Sequence, residues 1–179
     1  MDHITGALRA GLRGVSAIVT VAAVLSSCAY SLVGRGSALP PGVRSVSIPM
    51  FENKTGQPDL DTYVTTAVRD EFVKDGRLKV DDSQAADSIL SGQITGYGIQ
   101  PVAFNSSNIA TEYAIGLAMT VVHKESVTGK TLTRQTVEVN WRYVTGGDVA
   151  SSESQRILAV REVAKRGAQS VVSLVIEAF

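Results

Sequence analysis

The chain carries one cysteine, Cys28, and the residues before it are Leu25, Ser26 and Ser27. A leucine, two small residues and a cysteine at the end of an apolar run form the lipobox of bacterial lipoproteins. The chemistry it directs is acyl transfer: cleavage before Cys28 frees its amine, and its thiol takes lipid. The preceding segment has the matching layout. Arg9 and Arg13 give a positive start, and Val15 to Leu25 is apolar. Eleven helical residues extend about 16 Å, too short for a hydrocarbon core about 30 Å thick. Residues 1–27 are therefore expected to leave as a lipoprotein signal peptide, with Cys28 becoming an acylated first residue. Several palmitate-like chains on one cysteine exceed what stable anchoring needs. Residue 29 is Ala. Many Gram-negative bacteria use Asp there to hold lipoproteins in the inner membrane, so the expected location is the outer membrane, facing the periplasm.

Other chemistry is sparse. Once His3 leaves with the signal, His123 is the one histidine left. Its place near a strand end points to a surface residue rather than a general base, and no Cys-His pair or Gly-x-Ser-x-Gly elbow accompanies it. No catalytic residue is assigned, and the chain is not expected to be an enzyme. Beyond the acylated Cys28 the mature chain has no cysteine, so an internal disulfide or thiolate metal site is excluded. Asp81-Asp82 reads as a solvated pair, and no metal or other cofactor is expected. Gly34-Arg35-Gly36 precedes no helix pattern, which argues against a phosphate cradle. Lys and Arg are balanced by Asp and Glu, 17 against 17, so bulk charge offers nothing to a nucleic acid. Basic residues near strand ends, Lys124, Lys130, Arg134 and Arg142, commonly blunt sheet edges. Their functional reading is contact with anionic lipid head groups, and Lys124, Lys130 and Arg134 are the lipid-binding candidates.

These groups need a scaffold. Residues 28–42 read as a Gly- and Pro-containing tether, and residues 43–179 as one domain. Val43 to Phe51 reads as a strand closed by Pro49. Leu60, Val64, Ala67, Val68 and Phe72 recur at helical spacing, which predicts a helix from Asp59 to Asp75 stopped by Gly76. A short strand, Leu78 to Val80, follows. Three long strands come next: Ser88 to Phe104, Glu112 to Lys124 and Thr131 to Val144. Glycines in the first of them signal bends, bulges or a close neighbour. In the second, Tyr113, Ile115, Leu117, Met119 and Val121 share a face. In the third, Val137, Val139, Trp141 and Tyr143 do, so Trp141 is expected to be buried against a helix. The last element is a helix from about Ser152 to Ala178, with Ser152 and Gln155 placed for a capping box. This order argues for α+β: a largely antiparallel four-stranded sheet with two helices packed on one face.

Local segments carry the reading further. Cys28 to Leu32, Pro40, the run Val46-Ser47-Ile48-Pro49-Met50-Phe51-Glu52-Asn53-Lys54-Thr55 and the run Ala86 to Ile94 together resemble the LPS-assembly lipoprotein LptE family. Tyr113 and the long C-terminal helix fit the same pattern. The Phe-x-Asn-x-Thr-Gly stretch also occurs in other outer-membrane lipoproteins, including the curli-secretion type, which leaves an independent secretion-accessory or ligand-binding lipoprotein as the alternative. The resemblance implies a non-catalytic plug and assembly partner inside the outer-membrane β-barrel LptD, with direct lipopolysaccharide binding. Loops Asn105 to Thr111 and Glu125 to Lys130 are then expected to make contacts.

Overall fold

The computed structural model describes residues 39–83, 85–146 and 148–177. The signal segment, Cys28 and most of the tether lie outside the described residues. The elements run β1 (Ser45–Ser47), β2 (Glu52–Asn53), α1 (Leu60–Asp75), β3 (Lys79–Val80), β4 (Ser88–Phe104), β5 (Ala110–Glu125), β6 (Thr131–Val144) and α2 (Val149–Glu177). The fold is α+β, with both helices against one side of the sheet. The sheet has six strands rather than four and is mixed. Its order is β3-β1-β4-β5-β6, with β2 also paired to β4. The three long strands form an antiparallel meander, while β1 and β2 run parallel to β4.

The long strands are where alternation placed them, and the first strand is not. The segment expected to be one strand from Val43 to Phe51 divides into two short pieces. Pro49 has no N–H for a ladder, and helix α1 supplies the missing partners. The Arg69 guanidinium donates to the carbonyl of Ile48 through Nε at 2.9 Å. The hydroxyl of Thr65 accepts from the N–H of Phe51 at 3.0 Å. Two helix side chains thus hold a non-ladder backbone that would otherwise leave polar groups unpaired.

Phe51 is buried by this turn, and its ring lies flat on Gly92 of β4. A β-carbon at position 92 would sit 2.1 Å from the ring. Ahead of it, Asp87 ties the start of β1 to β4. Its carboxylate accepts from the N–H of Arg44 and Ser45 and from the Ser45 hydroxyl at 2.9–3.0 Å, and the Ser45 hydroxyl accepts from the N–H of Asp87. Those bonds hold the Asp87 carboxyl below its usual range, chiefly through the Arg44 N–H.

Helix α1 buries Leu60, Val64, Val68 and Phe72 at one-turn spacing. It ends at Gly76, whose φ of 74° suits glycine and whose N–H donates to the carbonyl of Phe72. Helix α2 starts three residues before the Ser152 expected to cap it. Asp148 caps instead, its Oδ1 accepting from the N–H of Ser151 at 2.9 Å. Ser152 lies inside the first turn, and its hydroxyl donates to the carbonyl of Gly146.

Length decides what each helix covers. Sixteen residues make α1 about 24 Å long and twenty-nine make α2 about 43 Å, while the sixteen of β5 extend about 54 Å. Helix α1 follows β2, which pairs at Gln93 and Ile94, and it packs toward β3. The part of the sheet nearest the β4–β5 turn is left to α2. Trp141 lies on the expected side of β6, yet it is half-buried rather than buried, because α1 does not reach it. The Arg166 guanidinium of α2 covers its ring at 4.1 Å. We expect Trp141→Ala to destabilise the domain by about 1–3 kcal/mol, partial burial plus a cation–π contact. Urea unfolding of the variant measures this, and a loss below about 0.5 kcal/mol would contradict the packing described.

Candidate functional site

The turn between β4 and β5 is tight and built by one side chain. The Asn105 carbonyl oxygen Oδ1 accepts from the N–H groups of Ser107 and Ile109 at 3.0 Å, and the N–H of Asn105 donates to the carbonyl of Ile109. Asn108 takes a positive φ of 59°, a conformation asparagine tolerates. The turn itself, Asn105 to Asn108, is polar and exposed, but exposed apolar side chains flank it at this tip. Phe104, Ile109, Val144 and Val149 are each more than half exposed. Exposed apolar side chains gathered at one end of a folded domain suit a contact surface.

Between this tip and the first turns of α2 lies a cleft of about 520 Å³. Its walls include Ile109, Tyr113, Tyr143 and Val149, with Glu153 and Arg156 at the helix side. The Tyr113 and Tyr143 rings stack at 5.8 Å and 19°. Arg156 makes a two-pronged bond to Glu153 at 2.7 and 2.8 Å. That bond raises the Arg156 pKa and lowers that of Glu153. Burial pushes the hydroxyls of Tyr97 and Tyr143 upward. Arg156 is thus neutralised by its own helix. The cleft offers aromatic and aliphatic carbon beside a closed ion pair, which suits an apolar side chain or acyl chain better than a bare anion.

The sequence-derived cations are elsewhere. Lys124, next to last in β5, stands opposite Thr131, Lys130 closes the following turn, and Arg134 stands opposite Val122. All three are exposed. Lys124 and Arg134 share the sheet face away from the helices. Thirteen strand positions separate Lys124 from Thr111, about 44 Å at 3.4 Å per residue. The described chain enters at this same end. The N–H of Ser126 donates to the carbonyl of Asp87, and Ser45 of β1 binds Asp87 as well. The domain therefore has a tether end with the three cations and a tip end with the apolar cleft. No periodicity exposes the cleft, because its lining comes from β5, β6 and α2 together.

His123 is not the surface residue expected. It is fully buried, facing the helix layer beside Leu90 and Thr133. Neither ring nitrogen has a partner among the described residues. No substrate reaches it, so it cannot act as a general base. Among the described residues no His, Asp and Glu side chains converge as a metal site. Among them also, no helix is long and apolar enough to cross a membrane.

Residues 43–175 match the family model described as LptE, lipopolysaccharide-assembly. No curated protein matches the chain significantly. Among solved structures, lipoprotein B from Nitrosomonas europaea is similar, 12% identical with a TM-score of 0.54 over 78% of this chain and 85% of that one. A lipoprotein from Caulobacter crescentus CB15 is 10% identical with a TM-score of 0.53, over 72% and 89%. The minor lipoprotein from Acinetobacter baumannii is 18% identical with a TM-score of 0.50, over 78% and 95%. At such identities the structures establish a shared fold.

Proposed function

This chain belongs to the LptE lipopolysaccharide-assembly family, and from that premise we propose that its mature part, residues 28–179, is an outer-membrane lipoprotein. Acyl chains on Cys28 hold it to the membrane. It plugs and helps to assemble the lipopolysaccharide-exporting β-barrel LptD, and it binds lipopolysaccharide. The observation that carries this reading is the family match across nearly the whole domain. The apolar residues at the tip, about 34–44 Å from Arg134 and Lys124 by strand length, support it. A plug needs a surface that packs against a partner, and Phe104, Ile109 and Val149 supply one. No reaction is assigned to the protein.

Three expected results follow from the parts of this proposal. Replacing Cys28 with alanine should leave the chain unacylated and released from membranes. Mass spectrometry finding an unmodified Cys28 in the mature parent protein would remove the anchor. Reversing Lys124, Lys130 and Arg134 to glutamate together should weaken lipopolysaccharide binding most at low salt, because exposed charges are screened within about 8–10 Å. Barrel binding should survive, since the packing tip is untouched. Equal lipopolysaccharide affinity at low salt would take these residues out of the site. Depleting the protein should lower surface lipopolysaccharide and admit bulky hydrophobic antibiotics. Depletion that changes neither favours an independent lipoprotein.

A further inference from the structure

Strand β6 closes the sheet, pairing with β5 along one side. Among the described residues nothing pairs with its other side. The register fixes which backbone groups are left over. The N–H of Thr145 donates to the carbonyl of Thr111 at 3.0 Å, which marks these two as a hydrogen-bonded pair. Such pairs alternate along an antiparallel ladder. Odd-numbered residues from Thr133 to Tyr143 therefore bond to β5, and Thr136, Glu138, Asn140 and Arg142 aim their N–H and C=O groups outward. The strand has no Gly or Pro, and its single register shift lies at its first residues. Natural edges of this length are usually bent, interrupted or covered.

A strand laid along this edge would be read on both of its faces. On the face away from the helices stand Glu138 and Arg142, four residues apart and exposed. Glu138 makes no ion pair or side-chain hydrogen bond among the described residues, and Arg142 reaches Glu112 only at 3.9 Å. Cross-strand pairs of opposite charge stabilise, and like charges in that position destabilise. An incoming strand is therefore matched by a base opposite Glu138 and an acid opposite Arg142. On the helix side a groove of about 550 Å³ runs between β6 and the flank of α2, where Ser170, Ser173 and Leu174 meet Val137. The serines are small enough to admit alternate side chains of that strand, and Leu174 gives them an apolar contact.

We propose that the outer edge of β6, from Thr136 to Arg142, takes an extended segment of the barrel partner as a further strand. The segment carries a base and an acid four residues apart, with apolar side chains at alternate positions. This rests on the partnership proposed above and says which part of the barrel makes the contact. Every strand of a closed wall is already paired on both sides, so no wall strand can supply the ladder. The segment is a loop or terminal stretch that enters the lumen. About 20 Å of ladder forms at 3.4 Å per residue. Backbone bonds supply the hold, and the alternate side chains select the segment. Arg134, nearer the tether end, stays with the lipid-binding candidates.

Amide hydrogen exchange, resolved by residue on the full chain alone in detergent and in its native complex, tests this. Alone, the amides of Thr136, Glu138 and Asn140 should exchange fast beside slow ones at Val137 and Val139. In the complex the fast amides should slow by about a hundredfold or more, which erases the alternation. A photo-crosslinking residue in place of Thr136 should join β6 to one barrel peptide outside the wall, carrying the base and acid. Asn140→Pro deletes an outward donor and no bond to β5, the placement that edge strands tolerate. It should hold the barrel about tenfold less well than Asn140→Ala. Circular dichroism confirms that both variants fold, and if the proline variant does not, the exchange pattern decides. The proposal is overturned if the outward amides stay fast in a complex that contains the barrel, and the partnership itself then stands. It is overturned as well if the crosslink falls on a wall strand or another copy of this chain, or if the two folded variants bind alike. A complex without any barrel overturns the partnership and this assignment together.

Discussion

Gly92→Ala is expected to destabilise the domain by about 3 kcal/mol, at the upper end of the usual range for overpacking a core. The added methyl would lie 2.1–2.4 Å from three ring atoms of Phe51. The ring has nowhere to go. Phe51 is 1% exposed, its N–H is held by Thr65, and Arg69 holds the carbonyl of Ile48 three residues before it. The partner test is a double-mutant cycle. Phe51→Ala alone should cost about 3–5 kcal/mol through the cavity it opens. In that background Gly92→Ala has room, and its further cost should fall below about 1 kcal/mol, so the two changes couple strongly. Additive effects in chemical unfolding would show that the contact does not limit the substitution. Phe51 and the Ser91-Gly92 step lie in two separate segments that carry the family resemblance. They are the two halves of one contact.

Acid should weaken the fold earlier than its carboxylates require. Burial lowers the pKa of His123 from 6.5 to about 4. The charged form is disfavoured in the folded protein, so the unfolded chain binds more protons between those values. Stability is therefore complete above about pH 6.5 and falls as pH drops toward 4, by up to about 1.4 kcal/mol per pH unit and about 3 kcal/mol in all. The carboxylates of Asp87, Asp148 and Glu153 are held below their ordinary values. Their contribution is present above those ordinary values and is lost only as pH falls further, so the window from 6.5 to 4.5 belongs to His123. His123→Leu removes the titration and two unpartnered buried nitrogens at once. The variant should match or exceed the parent at pH 7 and exceed it by about 2 kcal/mol at pH 5. Parallel stability curves for the two proteins across this window would contradict the assignment.

Much of the fold was legible because burial leaves a period in the sequence. Strands β4 and β6 have the limits that alternation gave them, and α1 ends at the glycine that predicted its end. What was not legible depends on partners distant in sequence. The Val43 to Phe51 run reads as one strand by composition, but Arg69 and Thr65 take the backbone groups a ladder would have used. His123 looked like a strand-end surface residue, since its burial depends on how α2 returns over the sheet. Trp141 had the right parity, and only the shortness of α1 leaves it half open. The capping box at Ser152 was a sound local pattern that Asp148, four residues earlier, displaced. At the tip, Tyr113 was singled out within a motif, but its stacking on Tyr143 and the cleft they share exist only in three dimensions.

The central claim is partnership with the lipopolysaccharide-exporting barrel, and isolation of the native complex tests it most directly. Affinity-tagged full-length chain, extracted from outer membranes in mild detergent, should bring down one large β-barrel protein in near-equal amount, identified by mass spectrometry as LptD. If the acylated chain instead elutes from the outer-membrane fraction without any such barrel, the account is contradicted.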